Sequence, residues 1–94
     1  MSDLIDNTAR RRFEIAVADD VAFVNYAVEA GRLMLLHAEV PQHLEGHGVG
    51  KTLVRAVLEE ARRRDVKIVP VCSFVALFIR RNPEFGDLVW KASA

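Results

Sequence analysis

The stretch Val40-Pro41-Gln42-His43-Leu44-Glu45-Gly46-His47-Gly48-Val49-Gly50-Lys51-Thr52 constrains this chain more than any other. Strand-forming residues lead into it, a polar loop punctuated by glycine fills its middle, and an amphipathic pattern begins at Val49. Strand, Gly-rich turn and helix N-terminus in that order make an anion-binding device. The glycines let backbone come close to a ligand, the first helical N–H groups have no partner within the helix, and the helix dipole puts partial positive charge there. The expected guest is a phosphate or pyrophosphate.

The helix behind the loop is expected from Gly48 or Val49 to Arg64. Leu53, Val54, Val57, Leu58 and Ala61 recur at three- and four-residue spacing and form its buried stripe. Arg62, Arg63 and Arg64 fall in the last turn, where positive charge suits the dipole, and Asp65 closes the helix. Ahead of the loop, Phe13, Ile15 and Val17 alternate with Glu14, Ala16 and Ala18, the period of a half-buried strand. Asp19-Asp20 and Ala30-Gly31 then punctuate two further strands, Val21–Glu29 and Leu33–Val40. Such short connections predict an antiparallel meander. Strict alternation in Leu33–Val40 puts Leu33, Leu35, His37 and Glu39 on one face and Met34, Leu36, Ala38 and Val40 on the other. Both faces are mostly apolar, so this strand is expected to be central and covered on both sides.

After the helix, Ile68–Val71 reads as a strand parallel to Leu33–Val40, the second arm of a β-α-β unit. Pro70 cannot donate to a ladder, so pairing is interrupted on one side. Phe74–Arg81 reads as a short helix stopped by Asn82-Pro83. Residues 87–94 read as an edge strand, with Trp90 anchoring the tail. Residues 1–10 are a flexible lead-in or a short docking strand, and residues 11–92 form the single domain. The fold class is α+β, with an α/β-like second half.

At 94 residues the chain supports one modest core. Thirteen basic and thirteen acidic residues cancel, so the chain as a whole is no magnet for nucleic acid or membrane. Arg10-Arg11-Arg12 reads as a solvated strand entry. The single cysteine excludes an internal disulfide and a multi-cysteine zinc site, which suits the cytoplasm. His43 and His47 flank the loop without a cysteine or carboxylate cluster in register, so no metal is expected.

Which phosphate motif this is can be settled by spacing. A P-loop needs its first glycine where Glu45 stands, and the strand Ile68–Val71 ends in no acidic residue for magnesium, so a triphosphatase is excluded. The Rossmann spacing G-x-G-x-x-G fails against Gly46-x-Gly48-x-Gly50. The loop Glu45-Gly46-His47-Gly48-Val49-Gly50, its flanking strand and its helix instead resemble the acetyl-CoA-binding core of the GNAT N-acetyltransferase superfamily. That family carries a [RQ]-x-x-G-x-[GA] loop whose backbone N–H groups hold the CoA pyrophosphate. Gly48 and Gly50 match the two small positions, while Glu45 stands where Arg or Gln is usual, with Lys51 expected to supply the charge. Four blocks in order, His37–Pro41, Leu44–Gly50, Ile68–Phe74 and Ile79–Phe85, are similar to the short YjdJ-type branch of that family.

The resemblance implies a GNAT-type fold in which the strand before the loop and the next parallel strand splay apart to admit pantetheine. It implies acetyl-CoA as cofactor and an amine acceptor as partner. Glu39, Val40, Glu45, Gly46, His47, Gly48, Val49, Gly50, Lys51, Ser73, Arg80, Arg81 and Asn82 are the expected cofactor-binding residues. Acyl transfer needs an uncharged amine and donors for the developing oxyanion. His37 is a base candidate, since imidazole titrates near neutral pH, or else a satisfied strand histidine. Cys72, at a strand end before a helix, is a nucleophile candidate, or else a small buried hydrophobe. Many relatives place a tyrosine acid on the helix after this strand. Here Phe78 occupies that region and Tyr26 is the only tyrosine. The function expected is an acetyl-CoA-dependent N-acetyltransferase with a Cys/His-assisted step, acting as a monomer or weak dimer; the second reading is a non-catalytic CoA-binding module.

Overall fold

In the computed structural model, which describes residues 3–92, a meander of four antiparallel strands precedes a β-α-β crossover. The strands are β1 (Ile5–Asn7), β2 (Arg12–Val17), β3 (Asp20–Glu29) and β4 (Arg32–Glu39); helix α1 (Val49–Arg64) leads to β5 (Ile68–Pro70) and helix α2 (Ser73–Arg81). The sheet order is β1-β2-β3-β4-β5, with only the β4–β5 pair parallel. This is the α+β arrangement, an antiparallel meander followed by a β-α-β unit, that the hydrophobic pattern implies. Within residues 1–10, Ile5–Asn7 is the docking strand, paired to Arg12–Glu14.

Period and caps explain why α1 forms where it does. Its apolar stripe, Leu53, Val54, Val57, Leu58 and Ala61, is buried against Phe13 and Ile15 of β2, Val24 of β3 and Leu35 of β4. Each large side chain removed from water contributes about 1.5–3 kcal/mol. Asp65 ends the helix in the left-handed region, its N–H reaching back to the carbonyls of Ala61 and Arg62. From α2, Val75, Phe78 and Ile79 join the same core.

Among the described residues every buried side chain belongs to this one cluster, so the two helices cover one face of the sheet. The expectation that β4 is covered on both sides is therefore corrected. Phe23, Ala27, Met34 and Val69 on the other face are only half-buried, and Val71 is exposed. Strict alternation in β4 is corrected as well. Asn25 pairs with His37 and Tyr26 with Leu35, so Leu36 is the extra residue of a β-bulge. The bulge reverses the phase: Leu33 and Leu35 face the helices before it, Ala38 and Val40 after it. His37 and Glu39 consequently lie with the open face, exposed, and not beside Leu33 and Leu35.

The expected edge strand at 87–94 does not form across its described part. Pro83–Leu88 is a 3₁₀ turn, and only Val89 bridges to Ile68, with the Trp90 N–H donating to the Ile68 carbonyl at 2.8 Å. Pro at the turn's first position favours helical φ there, while Phe85 and Leu88 are drawn into the core. The final two residues of that expectation lie outside the described residues. Trp90 does hold the tail, through the Arg32 guanidinium stacked 4.1 Å from its ring centroid.

Candidate functional site

The loop between β4 and α1 is a short 3₁₀ turn, Gln42–Leu44, followed by the glycine run. Gly48 is the N-cap of α1 with φ 77°, in the left-handed region that a side chain opposes. A glycine cap offers no side-chain oxygen, so nothing competes for the first amides of α1. The first internal bond is from the Thr52 N–H to the Gly48 carbonyl, 3.0 Å, and the N–H groups of Val49, Gly50 and Lys51 have no hydrogen-bond partner among the described residues. No acidic residue sits in the first turn. The helix thus begins with free donors and uncompensated positive potential, with the Lys51 ammonium exposed beside them.

Two adjoining cavities meet at this point. One, about 430 Å³, runs from Ala38 and Val40 of β4 along the loop to Gly50 and Lys51, and includes Leu44 and Glu45. The other, about 400 Å³, lies between α1 and α2, with Phe78 and Leu77 as its apolar wall and Arg55, Arg81 and Asn82 as its polar one. Lys51 and Phe74 line both. Of the expected cofactor residues, Val40, Glu45, Gly46, Gly48, Val49, Gly50 and Lys51 come together in the first cavity, and Arg81 and Asn82 join Lys51 in the second. Glu39, His47, Ser73 and Arg80 line neither and are exposed to solvent.

Sequence reasoning missed several residues. Thr52 and Arg55 share the exposed side of α1 with Lys51, a helical spacing that could have revealed them. Arg55 is held at the mouth by Asn82 Oδ1 at 3.3 Å and Glu84 at 3.8 Å. Phe74 carried no sequence signal.

β4 and β5 pair from Leu33–Ile68 to Leu35–Pro70 and no further. Cys72 closes that edge, its N–H donating to the Leu35 carbonyl at 2.9 Å. It is half-buried against the core and caps α2, without a side-chain hydrogen bond to the helix. His37 lies two residues beyond Leu35, its Nε2 3.7 Å from Glu39 Oε2. Neither Cys72 nor His37 lines the two cavities. His43 is 3.9 Å from Asp20 across the β2–β3 turn.

Tyr26 stands apart from this region. Its hydroxyl donates to Asp6 Oδ1 at 2.6 Å, and Arg64, at the far end of α1, reaches the other oxygen of Asp6 at 3.0 Å. Burial and the neighbouring Asp6 carboxylate push the phenol up to about 12. Tyr26 therefore stays protonated and structural. Arg64 also shares Glu60 with Arg63, and their three hydrogen bonds hold the Glu60 carboxyl down at about 2. Phe78, where a tyrosine acid would be sought, is buried with its ring centroid 5.9 Å from that of Phe85.

Comparison with known proteins bears on this geometry. Residues 12–88 match the model of the GCN5-related N-acetyl-transferase family. The chain is 30% identical over 77 residues to Protein NATD1 of Mus musculus, spanning 79% of this chain and 70% of that protein. Protein NATD1 of Homo sapiens matches at the same identity, over 79% of this chain and 68% of that one. A candidate GCN5-like N-acetyltransferase of Staphylococcus aureus, solved in solution by NMR, superposes with a TM-score of 0.71 at 26% identity, covering 97% of this chain and 90% of its own.

Proposed function

The chain belongs to the GCN5-related N-acetyltransferase family and is an acyltransferase; from that premise we propose that it binds acetyl-CoA along the α1 amides and acetylates an amine at the end of the β4–β5 ladder. The observation that carries this reading is the set of unpartnered N–H groups of Val49, Gly50 and Lys51 opening onto two adjoining cavities. Donors, a lysine and a long two-lobed space fit a diphosphate with an apolar arm on one side and a ringed, anionic end on the other. The exposed Glu45 carboxylate departs from the usual donor, and Lys51 offsets it. The apolar Ala38 and Val40 suit the arm, and Lys51, Arg55 and Arg81 suit the anionic end.

Acetyl-CoA supplies an activated acyl thioester. The chain's own part is to hold it at the main-chain donors and to receive a proton from the incoming ammonium. His37 is the proton acceptor in this reading, its Nε2 3.7 Å from the Glu39 carboxylate. Cys72 stands where the ladder ends and serves the acyl group, and its first test is chemical. The YjdJ-type branch is the subgroup whose blocks the chain carries.

The test combines calorimetry with CoA, turnover of acetyl-CoA on an amine library, and intact mass after incubation with acetyl-CoA. Tight CoA binding weakened by Lys51→Met is expected, together with a loss of turnover of about 10²-fold or more in His37→Ala, the usual scale of general-base removal. One acetyl group gained by the wild type and absent in Cys72→Ala supports a covalent role for the thiol. An unmodified protein whose turnover survives Cys72→Ala removes that role. No binding of CoA at all refutes the reading.

A further inference from the structure

The GNAT loop pattern admits Gly or Ala at the position of Gly50, yet here a methyl group would fit only by pushing the Phe74 ring aside by a few tenths of an ångström. A Cβ at Gly50 would lie 3.0 Å from Phe74 Cζ and 3.5 Å from Val40 Cγ2. Gly50 lies inside α1 with no positive φ, so its backbone makes no demand for glycine. The demand comes from the Phe74 ring, which crosses from the first turn of α2 and seats on the first turn of α1. That ring lines both cavities. It also keeps 42% of its surface exposed, whereas Phe78 one turn later is buried. An aromatic side chain held against backbone, with its free surface turned to two cavities, is placed to be covered by what fills them.

We infer that Phe74, seated on Gly50, is the positioning residue for the acyl donor: a ligand spanning both cavities bends around its ring while its diphosphate meets the α1 amides. This rests on the reading that CoA occupies both cavities. Gly50 then serves chiefly by leaving space for the ring. Covering about 40 Å² of the ring, at about 25 cal/mol per Å² of apolar surface, corresponds to an affinity effect of about fivefold. Misplacement of the thioester adds a loss of turnover at saturating acetyl-CoA.

The experiment is a double-mutant cycle in CoA affinity, with steady-state kinetics alongside, on wild type, Gly50→Ala, Phe74→Ala and the double variant. Phe74→Leu serves as a fold-preserving control. Both single variants should weaken CoA by about fivefold or more and lower kcat, and Gly50→Ala should add little once the ring is gone, because the two act through one contact. Melting temperature should stay close to that of the wild type in Phe74→Leu. Independent, multiplying penalties overturn the inference, since an added Cβ at Gly50 would then obstruct the ligand directly and not through the ring. So does unchanged affinity and kcat in Phe74→Ala. If the wild type itself does not bind CoA, the underlying reading fails and the inference with it. Wild-type binding with either adverse mutant pattern refutes the inference alone.

Discussion

Replacing Gly48 with alanine isolates the backbone conformation on which the proposed site at the start of α1 depends. At φ 77° a side chain meets its own backbone, and a Cβ at this position has nothing else within 4 Å. The cost is therefore conformational, with no clash to relieve, and the left-handed region costs an ordinary L-residue about 1–2 kcal/mol. For a domain of 60–100 residues each kcal/mol lowers the melting temperature by roughly 4–8 °C, so Gly48→Ala should melt about 5–12 °C below wild type. Gly48→Asn should recover roughly half of that loss, because Asn tolerates this region. In urea the midpoint should fall with an unchanged slope, since the surface exposed on unfolding is the same. Gly50→Ala provides the opposite sign. Helix propensity favours alanine by up to about 1 kcal/mol, and the exposed Phe74 ring can yield, so its stability should equal or exceed wild type. If Gly48→Ala and Gly48→Asn both melt with the wild type, the loop does not hold this turn in solution, and the alignment of the α1 amides loses its basis.

Two further predictions concern the network that ties β1 to the far end of α1. Tyr26→Phe removes the hydrogen bond to Asp6 and should cost about 1.5–3 kcal/mol, the scale of a hydrogen bond to a charged group, without lowering acetyl transfer. Because the folded phenol is raised to about 12 from an ordinary 10, the wild type's advantage should be complete below pH 10 and fade as pH rises towards 12, read from paired melts. Glu60→Gln should be less stable than wild type above pH 4.5, with the gap closing as pH falls towards 2, where the folded carboxyl finally takes its proton. Glu60 is one-fifth exposed, so added salt should also narrow the gap. A gap independent of pH would assign the effect to packing.

Local physics made much of this protein legible in its sequence. The stripe Leu53, Val54, Val57, Leu58 and Ala61 specifies α1 because a helix shows the same face every three or four residues, and all five are buried. The short turns at 18–19 and 30–31 dictate antiparallel neighbours, and the long return through α1 dictates a parallel one. Gly46 and Gly48, both at positive φ, mark a helix start with free amides because backbone conformation and donor geometry are encoded within a few residues.

Tertiary structure decided the rest. The bulge at Leu36 reverses the faces of β4, and period-two reasoning cannot register an extra residue accommodated by pairing with β3. Both helices gather on one face, so apolar residues such as Met34 and Val69 remain only half-covered although their pattern resembles that of a fully buried strand. The contact between Gly50 and Phe74 joins residues 24 positions apart in sequence, and only packing of α2 against α1 brings them together. Sequence alone determined where the helix starts with unpartnered amides, because that depends on neighbours along the chain. The shape of the space around those amides depends on neighbours across the fold, and only the folded chain settles it.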